Sequence, residues 1–529
     1  MVKPEELAVN TPLVTQLTPH TTELVLLISV FIVAACGLLY ELAAGAIASY
    51  LLGDSILQFS TIIGAYLFAM GVGSWLSRYL DRQIIAHFLR IELLIALLGG
   101  LMPAGLFAIN AYAPEGFRFI LYLWVMLIGM LVGIEIPLVM RILKRHTQLK
   151  EVVSQVLAFD YLGALAVAVA FPLLLVPQLG LIRTGVLFGL FNAFVAIWAI
   201  GLFRFELRAK GTHQIAAGFT LLILSVAWLG ANTITTLTED KFYQDPIIFK
   251  ATSSYQKIIV THGKQGHRLF LNGNLQFSQR DEYRYHESLV HPVMSAHGAP
   301  KRVAILGGGD GMAVREVLKY DSVEEITLVE LDPVMTQLFK DKPALAALNN
   351  DSLKSPKLKI VNQDAFKFLE NTLSSDIKQH ALYDIIIVDF PDPSNYAIGK
   401  LYTTSFYALM ESHLAASGYA VIQTTSPLIA RASFWTVAST LEAVGLNVAP
   451  YHAHVPSFGE WGFIVASHRP FNPSMTGHLP KNLRFLNDGN MSALFNFPKD
   501  MSKMIMPANR LSNQTLVNTF EREWGSFSP

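Results

Sequence analysis

Two aspartates three positions apart, Asp389 and Asp392 in Asp389-Phe390-Pro391-Asp392-Pro393, directly follow the apolar run Ile385-Ile386-Ile387-Val388. A short apolar run of this kind reads as a buried parallel strand, and the carboxyl end of such a strand is where an open α/β sheet meets its ligand. Carboxylates placed there can take a proton from a nucleophile or hold a cationic substrate. Upstream, the turn Gly307-Gly308-Gly309-Asp310-Gly311 follows Ala304-Ile305-Leu306 and leads into a helix near Met312. A nucleotide approaches a doubly wound sheet at this point, although the turn lacks the G-x-G-x-x-G spacing of a dinucleotide site. Glu330 closes the next strand, Thr327-Leu328-Val329, where an acid can accept hydrogen bonds from both hydroxyls of a ribose. Asp364 follows Ile360-Val361-Asn362-Gln363; it suits an exocyclic amino group of a base, or caps the helix of Phe366-Lys367-Phe368, or does both.

The elements that must hold these residues alternate. Strands are expected at 304–306, 325–330, 358–362, 384–388 and 419–423 with helical stretches between them, the pattern of a parallel sheet covered on both faces. Residues 255–277 alternate in strand fashion around the turn signal Asn272-Gly273-Asn274, which predicts a small β-hairpin unit, and Asp281 to Ser295 reads as a helix. The expected organisation is a transmembrane domain over 1–239, the hairpin unit and helix over 240–300, an α/β domain over 301–470 and a C-terminal extension over 471–529. The extension carries Phe485, Phe495, Phe497, Phe520 and Trp524, too many apolar residues for a disordered tail.

The amino-terminal part has a different solvent. The 529-residue chain is 52% hydrophobic and 15% charged, and residues 1–235 hold the apolar excess. Stretches at 24–48, 56–77, 91–113, 119–140, 157–177, 184–203 and 213–235 are each long enough for a bilayer core of about 30 Å, which predicts about seven spanning helices. The first is too long for a cleaved signal and has no basic residues immediately before it. Lys3, Arg78, Arg82, Arg90, Arg141, Lys144, Arg145, Lys150, Arg204, Arg208 and Lys210 fall on the amino-terminal side of these spans, against Arg118 and Arg183 on the other. The positive-inside rule then puts the amino terminus in the cytoplasm, and two placements of the α/β domain stay open: seven passes put it outside, whereas a miscounted or re-entrant span leaves it in the cytoplasm. Glu41, Glu135 and Asp160 lie within or at the margins of the apolar stretches; they mark a polar path for cations inside the bundle, or cap helices at the interface. The lipid bilayer is therefore a partner. Zero net charge argues against nucleic acid, and the single cysteine, Cys36, excludes internal disulfides and cysteine zinc sites. No metal site is expected.

The chain resembles the spermidine synthase (polyamine aminopropyltransferase) family. The match runs over about 240–470 in several separated motifs: Tyr255-Gln256, Leu271-Asn272-Gly273-Asn274-Leu275-Gln276, Asp281-Glu282, Tyr285-His286-Glu287, His291-Pro292, Gly307 to Gly311, and the Asp389–Asp392 loop. The resemblance implies a multi-pass α-helical membrane domain fused to an α/β Rossmann-like, class I methyltransferase-type domain. It implies transfer of the aminopropyl group of decarboxylated S-adenosylmethionine, a co-substrate with no further cofactor, to a diamine such as putrescine, with release of methylthioadenosine.

By the same resemblance Asp389 is the base that relieves the attacking amine of its proton, assisted by Tyr285, while Asp392 and His286 hold the polyamine. Gln256 contacts the thioadenosine, Gln276 lines the cleft, and Gly308, Glu330, Asp364 and Ala365 bind the donor. Asp310 discriminates between donors: it would attract the ammonium of the decarboxylated arm and repel the carboxylate of an ordinary methyl donor. Departures from the family pattern are Ala365 in place of glycine, Phe390-Pro391 between the paired acids, and Phe458 where an acceptor-side tyrosine is common. Two other readings remain at this stage, a methyltransferase on the same scaffold and a polyamine transporter or sensor without turnover. Self-association is left open.

Overall fold

The computed structural model describes residues 19–52, 55–144, 149–207, 209–243, 245–374, 382–473 and 479–527. The chain divides into two compact units, residues 1–242 and 243–529.

The first unit is helical: α1 (Pro19–Leu52), α2 (Ser55–Leu76), α3 (Ile84–Tyr112), α4 (Phe117–Leu143), α5 (Leu149–Ala170), α6 (Val176–Leu202) and α7 (Lys210–Tyr243). Among the described residues, six helices are long and apolar enough to cross a membrane, because α5 and α6 run on as one stretch from Glu151 to Leu202. The separate spans expected at 157–177 and 184–203 both lie in it. A π-turn at Phe171–Leu175 joins the two parts, and Gly180, at φ 73° and ψ 169°, interrupts the helical backbone. Small residues bring helices into backbone contact: a Cβ on Gly73 would stand 2.0 Å from the Met130 carbonyl oxygen, and one on Gly133 would stand 2.1 Å from that of Met70. Outward-facing Leu67, Phe68, Phe119 and Leu229 are more than half exposed, which suits a lipid-facing surface. Of the basic residues counted in the sequence, Lys3, Arg145 and Arg208 lie outside the described residues.

The second unit opens with a four-stranded antiparallel sheet, β1 (Ile247–Thr252), β2 (Lys257–Gly263), β3 (Gly266–Leu271) and β4 (Asn274–Ser278), paired in that order. The alternation over 255–277 becomes β2, β3 and β4, and the Asn272-Gly273 signal makes the connection between β3 and β4, where both residues take positive φ, 51° and 86°. Helix α8 (Glu282–His297) leads into the seven-stranded sheet of β5 (Arg302–Gly307), β6 (Glu325–Val329), β7 (Leu358–Val361), β8 (Tyr383–Asp389), β9 (Leu414–Gln423), β10 (Asn447–Val455) and β11 (Gly459–Ser467), in the order β10-β11-β9-β8-β5-β6-β7. The five strands read from the sequence form its parallel part, and β11 and β10 extend it antiparallel past β9.

Alternate residues of the central strands feed two cores. Ile305, Ile385 and Ile387 pack on one face, and Ala304, Leu306, Ile386 and Val388 on the other. Register then fixes the site: Gly307 pairs with Asp389, so the glycine turn after β5 and the acid ending β8 emerge side by side.

The extension folds onto this unit. Glu287 accepts the backbone N–H groups of Arg484, Phe485 and Leu486, and Glu523 accepts those of Ala432 and Ser433. The Trp524 indole N–H reaches Thr425 Oγ1 at 2.9 Å.

Candidate active site

The turn after β5 needs its glycines for two separate reasons. Gly307, Gly308 and Gly311 take φ of 87°, 69° and 77°, which side chains other than hydrogen resist. In addition, a Cβ on Gly308 would stand 2.9 Å from Asp389 Oδ2, and one on Gly309 would stand 2.7 Å from the Glu330 carboxyl group. The turn thus lets three acids from different strand ends converge on one stretch of backbone.

Glu330 is oriented by two backbone donors, Gly309 N–H to Oε2 at 3.1 Å and Asp332 N–H to Oε1 at 2.9 Å. Burial raises its carboxyl to about 7, against the pull of those two N–H groups. Asp310 is buried, its Oδ1 accepting from Met312 N–H at 2.9 Å and its carbonyl accepting from the Asn349 amide at 2.8 Å. Burial raises Asp310 as well, while the nearby His286 lowers it.

Tyr285 projects from α8 and donates its hydroxyl to Asp389 Oδ1 at 2.6 Å. Its ring is held edge-on by Phe463 and Phe458, at centroid separations of 5.4 and 6.3 Å. Burial pushes Asp389 up to about 6; the charge of Asp310 adds to the rise, while His286 and the Tyr285 hydroxyl oppose it. His286, the next residue, packs at 5.0 Å from Tyr285 and places Nδ1 2.8 Å from Glu282 Oε2. Burial alone would lower His286, but Glu282, Asp310 and Asp389 together raise it above the ordinary imidazole value. These acids thus favour the protonated imidazole, which in turn lowers Asp310 and Asp389.

Asp392 lies past the strand end with Oδ1 buried and, among the described residues, without a hydrogen-bond partner. Burial pushes it up to about 7, and hydrogen bonds from Gln423 and Thr425 pull the other way. An unpartnered acceptor in a cleft of acids is a place for a cationic donor. The Phe390-Pro391 pair between the acids is anchored by distant residues: Tyr402 donates to the Pro391 carbonyl at 3.1 Å, Gln423 donates to the Phe390 carbonyl, and Trp461 donates to Gln423 at 3.1 Å. Phe390 itself is buried against Phe406, so the unusual loop sequence serves the core.

Other expected residues are placed less directly. Asp364 does cap its helix, accepting from Phe366 N–H at 2.8 Å, and its Oδ2 pairs with Lys400 at 2.6 Å, which holds its carboxyl below the usual range despite burial. Ala365 is buried as the first residue of that helix. Gln256 donates to Asp332 Oδ2 at 3.1 Å, beside the Glu330 strand end. Gln276 is half-buried on β4 and reaches the Asn274 carbonyl at 3.4 Å, engaging its own strand rather than the acids.

Beneath the site runs an ion network that sequence reasoning quoted only in part. Arg315 binds both oxygens of Glu282, at 3.1 and 2.9 Å, and also meets Glu316 at 2.9 Å; Glu316 in turn faces His291 at 2.9 Å. The signal for Glu282 and His291 was their place in the motif run on α8. Arg315 and Glu316 carried none.

In the membrane unit, Glu135 is buried and faces Glu92, which lies within the expected stretch 91–113 but is not among the acids singled out from the sequence. Glu41 is 9% exposed and Asp160 half-buried, and Asp160 is within electrostatic range of Glu135.

Residues 282–475 match the model of the spermine/spermidine synthase domain family. Over 507 residues the chain is 50% identical to polyamine aminopropyltransferase 2 of Ralstonia nicotianae, covering 94% of this chain and 98% of that one. It is 48% identical over 503 residues to the polyamine aminopropyltransferase of Leptospira interrogans, again covering 94% of this chain and 98% of the relative. A crystal structure of spermidine synthase from Thermotoga maritima overlays with a TM-score of 0.42 at 27% identity, covering 49% of this chain and 88% of that one.

Proposed function

The chain belongs to the polyamine aminopropyltransferase family, and on that premise we propose that it moves the aminopropyl group of decarboxylated S-adenosylmethionine to a diamine of the size of putrescine. The observation that carries the reading is the Tyr285–Asp389 contact at 2.6 Å, set against a glycine turn that holds Asp310. An amine protonated at neutral pH has no lone pair to attack with. Asp389 takes its proton, the nitrogen lone pair forms a bond to the carbon beside the sulfonium, and the carbon–sulfur bond breaks. Its electron pair returns to sulfur, which leaves as the neutral thioether methylthioadenosine. Tyr285 fixes the oxygen of Asp389 that it touches, leaving Oδ2 for the amine.

On the donor side, Asp310 draws the arm's ammonium and Glu330 accepts from the ribose hydroxyls. Gln256 supports that end through Asp332. Asp364 would meet the base with the acceptor capacity of Oδ2 that Lys400 leaves free. On the acceptor side, Asp392 and His286 border the chain of the diamine. The test is to incubate full-length protein, purified in detergent, with decarboxylated donor and a panel of diamines and to read products by mass. The triamine made from putrescine is expected; product from longer or branched acceptors only would overturn the size assignment.

The raised acids set a pH dependence. Asp389, at about 6, and Asp392, at about 7, must both be ionised to receive a cation, and the ionised fraction of each falls as pH drops through its value. The rate at low substrate is therefore expected to decline below about pH 7 and more steeply below about 6. Glu330 also lies at about 7, so the profile is read at saturating donor and low diamine, where Asp392→Asn should remove the upper inflection and keep the lower. Identical acid limbs in the two proteins would overturn the role of Asp392.

For topology, a continuous helix from Glu151 to Leu202 would measure about 78 Å at 1.5 Å per residue, far beyond a core of about 30 Å. Division at Gly180 makes it two passes and the total seven. Arg78, Arg82, Arg141, Lys144 and Arg204 then lie at the cytoplasmic ends, and the catalytic unit faces the other side of a cell membrane. Reporters fused at each terminus should read opposite compartments in intact cells. Both termini reading as cytoplasmic would mean an even number of passes.

A further inference from the structure

The centre of the membrane unit holds a polar cluster that aminopropyl transfer does not use. Helices α3 and α6 pack closely: a Cβ on Gly189 would stand 2.6 Å from the Ala96 carbonyl oxygen, and one on Gly185 would stand 3.3 Å from that of Gly100. The numbers rise on one helix as they fall on the other, so the pair is antiparallel and Asn192 lies level with Glu92. Glu135 of α4 meets Glu92 carboxyl to carboxyl. On α1 the Tyr40 ring fills the space beside Gly99, within 2.4 Å of where a Cβ would stand, and helical side chains slant towards the amino terminus. The Tyr40 hydroxyl and the Cys36 thiol are within electrostatic range of both glutamates.

No hydrogen-bond donor among the described residues reaches any of the four oxygens of Glu92 and Glu135. The Tyr40 hydroxyl and both amide atoms of Asn192 are likewise buried without partners. Asn192 and Glu92 have no exposed surface, and Glu135 has 1%. No cationic side chain is among the groups acting on the two carboxyls. Pro103 and Pro137 add acceptors, since neither has an N–H for the carbonyl one turn earlier, that of Gly99 and that of Gly133.

Four carboxyl oxygens, the Asn192 amide and the Tyr40 hydroxyl thus lie buried together from four helices without a cationic side chain among them, and a buried carboxyl pair in this condition calls for a shared proton or a cation. A multivalent metal is a poor fit, because no group of three or more His, Cys, Asp or Glu among the described residues is arranged to hold one. An alkylammonium fits better: it brings up to three N–H donors, and its methylenes suit the apolar walls of Leu39, Val132 and Phe188. We propose that Glu92 and Glu135, with Asn192 and Tyr40, bind the protonated end of an alkylamine inside the membrane. The choice of amine class rests on the proposed diamine chemistry of the catalytic unit.

The test is equilibrium dialysis of full-length protein against radiolabelled putrescine, with aminopropyl transfer measured on the same preparation. Wild type should bind two equivalents per chain. Glu92→Gln with Glu135→Gln should weaken one of them at least 30-fold and leave transfer within twofold, which also reports that the chain is folded. Asn192→Ala, which adds no charge and little strain, should weaken the same equivalent by 3- to 10-fold. A single equivalent in wild type, or two in the double variant, overturns the proposal, since the pair would then hold protons only. Displacement by sodium chloride but not by choline chloride at equal ionic strength overturns it in favour of a sodium site. Loss of transfer from wild type with the difference between the proteins intact would sink the catalytic reading alone.

Discussion

Asp389→Asn is expected to lower turnover by about 10²-fold or more while leaving donor affinity within a few-fold of wild type. The substitution keeps the shape of the side chain and an oxygen to accept the Tyr285 hydroxyl, so the contact at 2.6 Å can survive. What goes is the capacity to take a proton. The environment of Asp389 supports that role: at about 6 it is ionised at neutral pH yet more basic than a solvated aspartate, because burial and Asp310 outweigh His286 and Tyr285. Tyr285→Phe should cost less, about 10-fold, since it removes only the group that orients the base. Single-turnover rates with saturating donor separate chemistry from binding. Unchanged turnover in Asp389→Asn would remove the residue from the reaction.

What could be read from the sequence follows the physics of each element. The central sheet was legible because strands buried on both faces are continuous apolar runs, and the runs at 304–306 and 385–388 became neighbours whose ends carry Gly307 and Asp389. Asp310 and Glu330 were legible because a glycine turn and a strand-end acid have fixed places in that fold. The partners of the Asp389–Asp392 loop were not. Tyr402 and Gln423 reach it from positions 11 and 33 residues away, and Trp461 stands behind Gln423; such contacts leave no local pattern. The extension was read as apolar but without a docking partner, because Glu287 and Glu523 recognise bare backbone N–H groups that any sequence offers. In the membrane unit, hydropathy located the helices, including the two that adjoin between Glu151 and Leu202 across the break at Gly180. Glu92, inside the stretch 91–113, has no partner visible in the sequence, because Glu135 lies 43 positions away on another helix.

Asp310→Asn is expected to weaken the decarboxylated donor by about 10- to 100-fold and methylthioadenosine by less than about 3-fold. Asparagine Oδ1 can still accept from Met312 N–H, the bond that Asp310 makes at 2.9 Å, and the main-chain carbonyl still meets Asn349. The turn should therefore hold, and the change isolates charge. At an effective dielectric near 20, opposite charges 4 Å apart attract by about 4 kcal/mol, and desolvation of the ammonium and carboxylate returns a large part of that. The remainder corresponds to the stated range. Methylthioadenosine has no aminopropyl ammonium and gives that attraction nothing to act on. Ordinary S-adenosylmethionine carries both an ammonium and a carboxylate on its arm, so attraction and repulsion by Asp310 offset, and its affinity should change less in the variant than that of the decarboxylated donor. Calorimetric titration of the three ligands against both proteins measures this directly. Equal losses for all three would show that Asp310 serves only to shape the turn, and donor selection would then have to come from elsewhere in the cleft.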